Sequence, residues 1–183
     1  GELVNVRNAD KVKKFSTADY PLSPIRLETL AGLIFINLDT NAEPLAEQAN
    51  GLDAEVCEFA PDCETLVHAY RTEHSIACNW KIAVENWSEC YHCVVVHKQL
   101  AREFIDFDTH RVELNPLYQR QRMFLRADVP ASVAEGETRS TTGGEQASWT
   151  LLPNLGIQIV HNGYLMTSIW LPVDADHCHF VED

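Results

Sequence analysis

The segment that most constrains the fold runs from residue 79 to residue 97. Large apolar side chains recur within it at steps of three or four residues, namely Trp80, Val84, Trp87 and Tyr91. This spacing predicts an amphipathic helix that begins at Asn79, a favoured N-cap residue, and continues to about His97. An apolar stripe of this width has to be buried, so the remaining residues must supply a surface that covers it.

Several other segments are typical of β-strands. Residues 25–38 are apolar, rich in β-branched side chains and interrupted by Gly32, which predicts one or two strands with a turn or bulge at the glycine. Further strands are predicted over residues 63–77, 112–126, 155–160 and 164–171, and the start of another over 178–183. The predicted fold class is therefore α+β, with an antiparallel sheet packed against a long helix.

The connections between these elements have recognisable turn chemistry. His161-Asn162-Gly163 separates two strand-like segments, and an Asn-Gly pair in that position is a strong hairpin signal. Residues 45–59 have apolar side chains near helical spacing, which predicts a helix with Gly51 as its weak point. Residues 128–144 are rich in Pro, Ser, Thr, Glu and Gly, and this composition predicts a mobile loop.

Length and charge narrow the classes of function. The 183 residues are enough for one domain with its own core. Lys and Arg number 14 against 27 Asp and Glu, and the net charge of -13 disfavours nucleic acid and anionic membranes as partners. No apolar run approaches the roughly 20 residues that span a bilayer, so we expect a cytoplasmic protein. The six cysteines are too sparse for a disulfide scaffold, so we expect reduced thiols.

Chemically active side chains are concentrated in the same segment, residues 79–97. His92 and His97 stand five residues apart, and Glu89 stands three residues before His92. Two imidazoles and a carboxylate form a ligand set that suits ferrous iron and leaves positions open for oxygen or substrate.

Helical geometry constrains how these side chains meet. In an unbroken helix Glu89 and His92 share one sector, whereas His97 lies roughly 140° away from His92. The β-branched run Val94–Val96 weakens the helix between the two histidines. It therefore predicts a bend or a helix end there, which would bring His97 round toward His92.

Two other interpretations of these residues stay open. Histidines five residues apart on an amphipathic helix are more often structural than ligating, so a non-catalytic ligand-binding domain without iron is one alternative. Cys90 and Cys93 have the spacing of a redox dithiol or of half a zinc site, so a zinc or thiol protein that also uses His92 and His97 is the other. A zinc ribbon would need a second cysteine pair of that spacing, which the sequence lacks.

The order of these residues resembles the mononuclear-iron motif of the Rieske non-haem iron oxygenases, in their large (α) subunit. That motif has Asn-Trp-Lys, then Glu-Asn, a carboxylate, Tyr-His, and a second His five residues later. The corresponding residues here are Asn79-Trp80-Lys81, Glu85-Asn86, Glu89, Tyr91-His92 and His97. The resemblance extends over residues 22–38 and 151–172, and so over nearly the whole chain.

The resemblance implies functions for four residues. His92 and His97 would be ligands of Fe(II), and Asn86 would lie beside the iron. Glu89 would connect the iron to a Rieske [2Fe-2S] cluster on the neighbouring subunit of a homotrimer. The resemblance also implies a helix-grip-like catalytic domain that uses O2 and a small-molecule substrate, with electrons from NAD(P)H through a separate reductase or ferredoxin partner.

The Rieske cluster itself is not expected within these residues. Such a cluster needs Cys-x-His and Cys-x-x-His, and the one Cys-x-His here, Cys90-Tyr91-His92, lies inside the iron motif. The family's third iron ligand is an Asp on a late helix, and no Asp after residue 173 stands in that context. We therefore expect a chain truncated at both ends and inactive alone, with residues 1–40 as the remnant of a Rieske domain and linker and residues 41–183 as a partial catalytic domain.

The substrate class is only weakly indicated. A Glu at position 89, followed by Cys90-Tyr91-His92-Cys93, is similar to the branch of the family that acts on carnitine, choline and betaines, whereas many aromatic-ring dioxygenases have Asp there. The expected reaction is hydroxylation or oxidative demethylation of a quaternary ammonium or aromatic compound. Its pocket is expected between the helix and the sheet, with walls that include Ile157, Ile159, Met166, Ser168 and Trp170.

Overall fold

Two antiparallel sheets organise the chain, and the computed structural model describes residues 1–129, 144–159 and 164–183. The smaller sheet is a hairpin of β1 (Arg26–Leu30) and β2 (Leu33–Asn37). The larger sheet contains seven strands, β3 (Thr72–Ile76), β4 (Ile105–Leu114), β5 (Tyr118–Leu125), β6 (Glu145–Leu151), β7 (Leu155–Ile159), β8 (Leu165–Pro172) and β9 (Cys178–Glu182). Their spatial order is β3-β9-β8-β7-β6-β5-β4, and every neighbouring pair is antiparallel.

The helices of the described residues are short. They are α1 (Leu45–Gln48), α2 (Leu52–Phe59), α3 (Trp80–Trp87), α4 (Cys93–Val96) and α5 (Lys98–Glu103), with single 3-10 turns at Ala9–Lys11, Thr17–Asp19 and Cys63–Thr65. The break between α1 and α2 falls at Asn50 and Gly51, which both have positive φ angles. Among the described residues, no helix has the length and apolar character needed to cross a membrane.

One face of the large sheet packs against the hairpin and α2. The side chains buried between them include Leu30, Leu52, Val56, Trp149 and Ile157. Glu55 on α2 accepts hydrogen bonds from the Trp149 indole and the Tyr118 hydroxyl, at 3.0 and 3.1 Å, so the helix is fixed to the sheet by polar as well as apolar contacts.

The opposite face of the sheet carries α3. Val84 packs there against Trp170 of β8, with Trp87 and Phe180 alongside. Side chains alternate between the two faces of a strand, so Ile157 and Ile159 belong to the α2 face, whereas Ser168 and Trp170 belong to the α3 face.

The α+β class and the antiparallel sheet are confirmed, and so are the strands around Gly32, the helix over residues 45–59 with its break at Gly51, and the strand over residues 178–183. The pairing of β7 with β8 is also confirmed. The predicted turn at residues 161–163 and nearly all of the predicted loop at residues 128–144 lie outside the described residues. The proposed division at residue 40 stays a prediction.

Three predicted elements were wrong in extent. The helix over residues 79–97 is interrupted after Trp87, so the element on the sheet is two turns long instead of five. Residues 112–126 form parts of two strands, because Pro116 lacks the N–H that a continuous ladder requires. Of residues 63–77, only Thr72–Ile76 pair as a strand, and β6 was not predicted.

Candidate metal centre

The two histidines of the predicted metal site lie side by side. His92 immediately precedes α4 and His97 immediately follows it, so a single helical turn separates them. Their ring centroids are 5.3 Å apart, with the rings close to perpendicular. The prediction that the chain must deviate from one straight helix to bring them together was right. One interruption lies at residues 88–92, after the end of α3. The predicted helix end at the valines is also present, because α4 ends at Val96 and His97 has non-helical φ and ψ angles of -95° and 51°.

Local sequence sets where α3 begins. The Asn79 side chain accepts a hydrogen bond from the Lys81 N–H at 3.0 Å, which caps the first turn. The Asn79 amide also donates to the Ala175 carbonyl at 2.9 Å, so this end of α3 is tied to the loop between β8 and β9. The predicted N-cap is confirmed.

Glu89 holds the imidazole of His92. Its Oε1 atom lies 2.5 Å from Nδ1 of His92, and its Oε2 atom accepts a hydrogen bond from the Tyr91 N–H. The hydrogen bond with His92 is the main reason that the pKa of Glu89 lies below its usual range, with the Tyr91 N–H contributing in the same direction. A charged carboxylate at Nδ1 favours the tautomer that carries its proton there, which leaves the lone pair on Nε2.

Asn86 completes a small polar cluster at the end of α3. Its Nδ2 atom lies 3.1 Å from Nδ1 of His92 and 3.4 Å from Oε1 of Glu89. Asn86, Glu89 and His92 therefore lie together, whereas the Glu85 side chain forms no hydrogen bond or ion pair with any of them.

These donors fit a metal ion in part. Two imidazoles, one of them oriented by a carboxylate, supply the nitrogen ligands of a site with two histidines and one carboxylate. Within residues 1–129, 144–159 and 164–183, no group of three or more His, Cys, Asp or Glu side chains is arranged to hold a metal. Among the described residues, no third side chain therefore joins His92 and His97 as a metal ligand.

The cysteines that flank His92 are joined to each other. Cys90 and Cys93 form a disulfide, so the expectation of reduced thiols was wrong for this pair and right for Cys57, Cys63, Cys78 and Cys178. Neither sulfur of the disulfide is a thiolate, the form in which cysteine binds zinc. The geometry therefore disfavours a zinc site built from Cys90, Cys93 and the two histidines.

The expected pocket walls are divided between the two faces of the sheet. Ile157 and Ile159 are buried in the core beneath α2, so they do not face the histidines' helix. Ser168 and Trp170 lie on the α3 side, and Met166 shares their face by strand alternation.

Sequence reasoning missed the residues that hold the end of α3. The carbonyl groups of Trp87 and Ser88 accept hydrogen bonds from Gln121 and Gln119 of β5, and the Ser88 hydroxyl contacts Thr150 of β6. The available signal was weak, since it consists of two glutamines at alternate positions of an otherwise ordinary strand.

Several known proteins are similar to this chain in sequence. The sequence model of the family described as "Ring hydroxylating alpha subunit (catalytic domain)" matches residues 63–183, which include both histidines. The carnitine monooxygenase oxygenase subunit of Acinetobacter baumannii is 34% identical over 177 residues, which are 96% of this chain and 47% of that protein. The corresponding subunit of Escherichia coli is 41% identical over 97 residues, 53% of this chain and 26% of that protein.

Solved structures show the same fold. A crystal structure of the quaternary ammonium Rieske monooxygenase CntA superposes with a TM-score of 0.82 at 25% identity, and the match covers all of this chain and 47% of that one. Naphthalene 1,2-dioxygenase with indole bound superposes with a TM-score of 0.70 at 16% identity, over all of this chain and 48% of that one. The chain spans about half the length of the proteins that it matches along its whole length.

Proposed function

The chain belongs to the family of ring-hydroxylating α-subunit catalytic domains, and we propose that it is the iron-bearing portion of a Rieske-type oxygenase. The observation that carries this proposal is the arrangement of His92, which lies 2.5 Å from Glu89 and whose ring centroid is 5.3 Å from that of His97. An isolated structural histidine would need neither the second imidazole nor the carboxylate.

His92 and His97 are the proposed protein ligands of Fe(II). When bound, the iron would supply the activation of dioxygen that hydroxylation of a C–H bond or oxidative demethylation requires. Glu89 would keep the His92 proton on Nδ1, which leaves the lone pair of Nε2 free to bind the iron. With the proton on Nδ1, the Asn86 Nδ2 group, which can only donate, has its acceptor at Oε1 of Glu89, 3.4 Å away, and so helps to orient that carboxylate.

The proposed substrate is a small quaternary ammonium compound, with an aromatic compound as the second candidate. Support for the first comes from the relatives, which include subunits of carnitine, glycine betaine and choline monooxygenases. The local sequence Glu89-Cys90-Tyr91-His92-Cys93 agrees with that class. Aromatic side chains on the α3 face, such as Trp87 and Trp170, suit either a cation or an aromatic ring, so they do not discriminate.

Electrons are proposed to come from NAD(P)H through a reductase or ferredoxin, and then through a Rieske [2Fe-2S] cluster held by residues other than these 183. The sequence contains no Cys-x-x-His and no Cys-x-His apart from the one that includes His92. The 41% exposure of the Glu89 side chain supports the proposal that Glu89 links that cluster to His92.

A homotrimer is the proposed assembly, with α4 at the contact between subunits. The surface around the site is apolar and open to solvent, since Tyr91 is 94% exposed and Val94, Val95 and Val96 are 53%, 64% and 65% exposed. Contiguous exposed apolar side chains of this kind mark interaction surfaces. A neighbouring subunit that covers them would also exclude water from Glu89.

Metal binding tests the proposal directly. Fe(II) should bind the anaerobic chain at about one ion per molecule, and His92→Ala and His97→Ala should each abolish binding. His177→Ala is the matched control, because His177 is an exposed histidine in the loop between β8 and β9, where its imidazole contacts Asp174 at 3.0 Å. Zinc that persists in His92→Ala and is lost in Cys90→Ala would refute the proposal in favour of a zinc protein. A folded chain that binds no metal would favour the non-catalytic alternative.

A further inference from the structure

The carbonyl groups at the end of α3 accept hydrogen bonds from side chains of the sheet. Carbonyls at a helix C-terminus have no partner within the helix and must find one elsewhere. The Gln121 side chain donates to the Trp87 carbonyl at 2.9 Å, and the Gln119 side chain donates to the Ser88 carbonyl. The helix therefore ends against β5 and not in solvent.

The Ser88 side chain is bound by a second strand. Its hydroxyl donates to the Val84 carbonyl at 2.7 Å, which uses its only proton. Thr150 Oγ1 lies 3.0 Å from the same hydroxyl oxygen, so Thr150 has to be the donor. Ser88 is thus held at its carbonyl by Gln119 and at its hydroxyl by Thr150.

The two side chains that bind Ser88 lie next to each other on the sheet. Gln119 and Thr150 are direct cross-strand partners on β5 and β6. Thr150 is only 2% exposed and Gln121 only 4%, and Gln121 in turn accepts a hydrogen bond from His110 of β4 at 2.8 Å. Polar groups this deeply buried are costly when unpaired, so their hydrogen bonds define one position for the end of α3.

We propose that Gln119 and Thr150 are positioning residues, which hold Ser88 and thereby fix the Glu89–His92 hydrogen bond at the metal centre. Ser88 is covalently joined to Glu89, and the turn that follows contains the whole contact between Glu89 and His92. Because α3 ends at Trp87, helical hydrogen bonds do not fix the position of Glu89. The two strands supply that constraint instead. This inference rests on the proposed function, in which His92 binds iron.

The central variants remove single hydrogen bonds at nearly constant shape. Thr150→Val removes the hydroxyl that donates to Ser88, Thr150→Ser retains it, and Gln119→Met removes the amide donor. Thr167→Val is the matched control, because Thr167 is also buried, at 8% exposure, but lies on the opposite face of the sheet, on β8. Should Thr150→Val fail to fold, Gln119→Met is used for the same test.

The primary measurement is the tautomer of the His92 imidazole, read by NMR of the metal-free chain labelled with nitrogen-15. The wild type and Thr167→Val should carry the proton on Nδ1, and Thr150→Val and Gln119→Met should show a mixture of tautomers or exchange of that proton with water. Thr150→Ser should restore the wild-type signal. The dissociation constant for Fe(II) should rise about tenfold in Thr150→Val and Gln119→Met, whereas thermal unfolding of Thr150→Val and Thr167→Val should be similar.

An unchanged His92 tautomer in folded Thr150→Val and Gln119→Met would overturn the inference, and so would an equal change in Thr167→Val. The tautomer measurement needs no metal, so it decides the inference even where the Fe(II) titration contradicts the proposed function. Conversely, tight Fe(II) binding by all four variants and the wild type, with an unchanged tautomer, would leave the proposed function supported and the positioning residues refuted.

Discussion

Nδ1 of His92 lies 2.5 Å from Oε1 of Glu89, three residues earlier in the chain, although no helix connects the two residues. The contact is made in a turn between α3 and α4, and the second carboxylate oxygen of Glu89 accepts the N–H of Tyr91 within that turn. One carboxylate therefore both shapes the backbone and selects the tautomer of an imidazole. These two effects can be separated by substitution.

Glu89→Gln should retain metal binding and Glu89→Ala should weaken it. The Gln side chain oxygen can still accept from Nδ1 of His92, whereas Ala leaves the imidazole free to rotate. We expect the dissociation constant for Fe(II) to change little in Glu89→Gln and to rise about 10–100-fold in Glu89→Ala. Anaerobic titration with a competing chelator measures both values.

Glu85→Ala is the control for loss of a carboxylate from the same segment, because Glu85 is exposed and its side chain forms no hydrogen bond with His92. An equal effect of Glu85→Ala and Glu89→Ala would mean that Glu89 acts only through net charge. In a longer subunit that contains the cluster, Glu89→Gln should bind iron and transfer electrons slowly. Unchanged turnover there would show that Glu89 is not on the electron path.

Gly156→Ala should displace Trp87. A methyl group at Gly156 would lie 2.9 Å from Cε2 and Nε1 of the Trp87 indole, which is too close for the ring to stay against β7. Overpacking of this kind costs about 1–3 kcal/mol of unfolding free energy. We expect that loss in urea unfolding, together with a change in tryptophan fluorescence, because Trp87 also packs against Trp170.

Gly51→Ala separates packing from backbone strain. Gly51 has φ +90° but nothing within 4 Å of an added methyl group, so its substitution should lower stability without changing the fluorescence of the folded state. A Gly156→Ala protein with wild-type stability and fluorescence would show that Trp87 does not rest on β7.

Much of the fold was predictable because its determinants are local. The strands on either side of Gly32 and the break at Gly51 follow from glycine's access to positive φ, at +78° and +90°. The pairing of β7 with β8 follows from two apolar segments that are close in sequence. Residues 112–126 were predicted as one strand, whereas they contain the end of β4 and all of β5, with Pro116 in the turn between them.

The site was only half predictable, and for a different reason. Glu89, His92 and His97 stand within nine residues, so their chemistry suggested a metal site, and the resemblance to the iron motif added Asn86. Ser88, which follows α3, is hydrogen-bonded to Gln119 and Thr150, which are 31 and 62 residues away in the sequence. No local pattern reports such partners, and the helix was therefore extended beyond its true end.

Glu55→Ala should destabilise the chain without affecting metal binding. Glu55 accepts from the Trp149 indole and the Tyr118 hydroxyl and pairs with Arg120 at 3.0 Å, so its removal leaves buried donors unpaired. We expect the free energy of unfolding to fall by about 2 kcal/mol. Glu47→Ala, an exposed change on α1, should cost little. Equal losses for the two variants would contradict a structural function of Glu55.

The Cys57 thiol should make the free energy of unfolding of the chain depend on pH. Burial is the main cause that raises its pKa to about 12, and the neighbouring Cys63 contributes in the same direction. A thiol in the unfolded chain ionises near pH 8.5. Because the unfolded state then loses the proton first, the free energy of unfolding should be unaffected by Cys57 below about pH 8.5 and should fall as pH rises toward 12.

Cys57→Ala tests this assignment. The variant should lose part of the decline in stability at alkaline pH, and native Cys57 should react with iodoacetamide far more slowly at pH 9 than the same residue in urea. Rapid labelling of Cys57 in the folded chain would contradict a raised pKa. An identical alkaline decline in the wild type and in Cys57→Ala would assign the effect to another group.

The Cys90–Cys93 disulfide determines how many thiols of the chain can react. With that bond formed, denatured chain that has not been reduced should present four reactive thiols, and reduced chain should present six. Cys90→Ser should present five reactive thiols without reduction, because Cys93 can then no longer form the disulfide. Since the bond encloses Tyr91 and His92, reduction should also increase hydrogen exchange at the His92 amide. Six reactive thiols in the wild-type chain before reduction would show that the pair is reduced, which would reopen the zinc alternative at this turn.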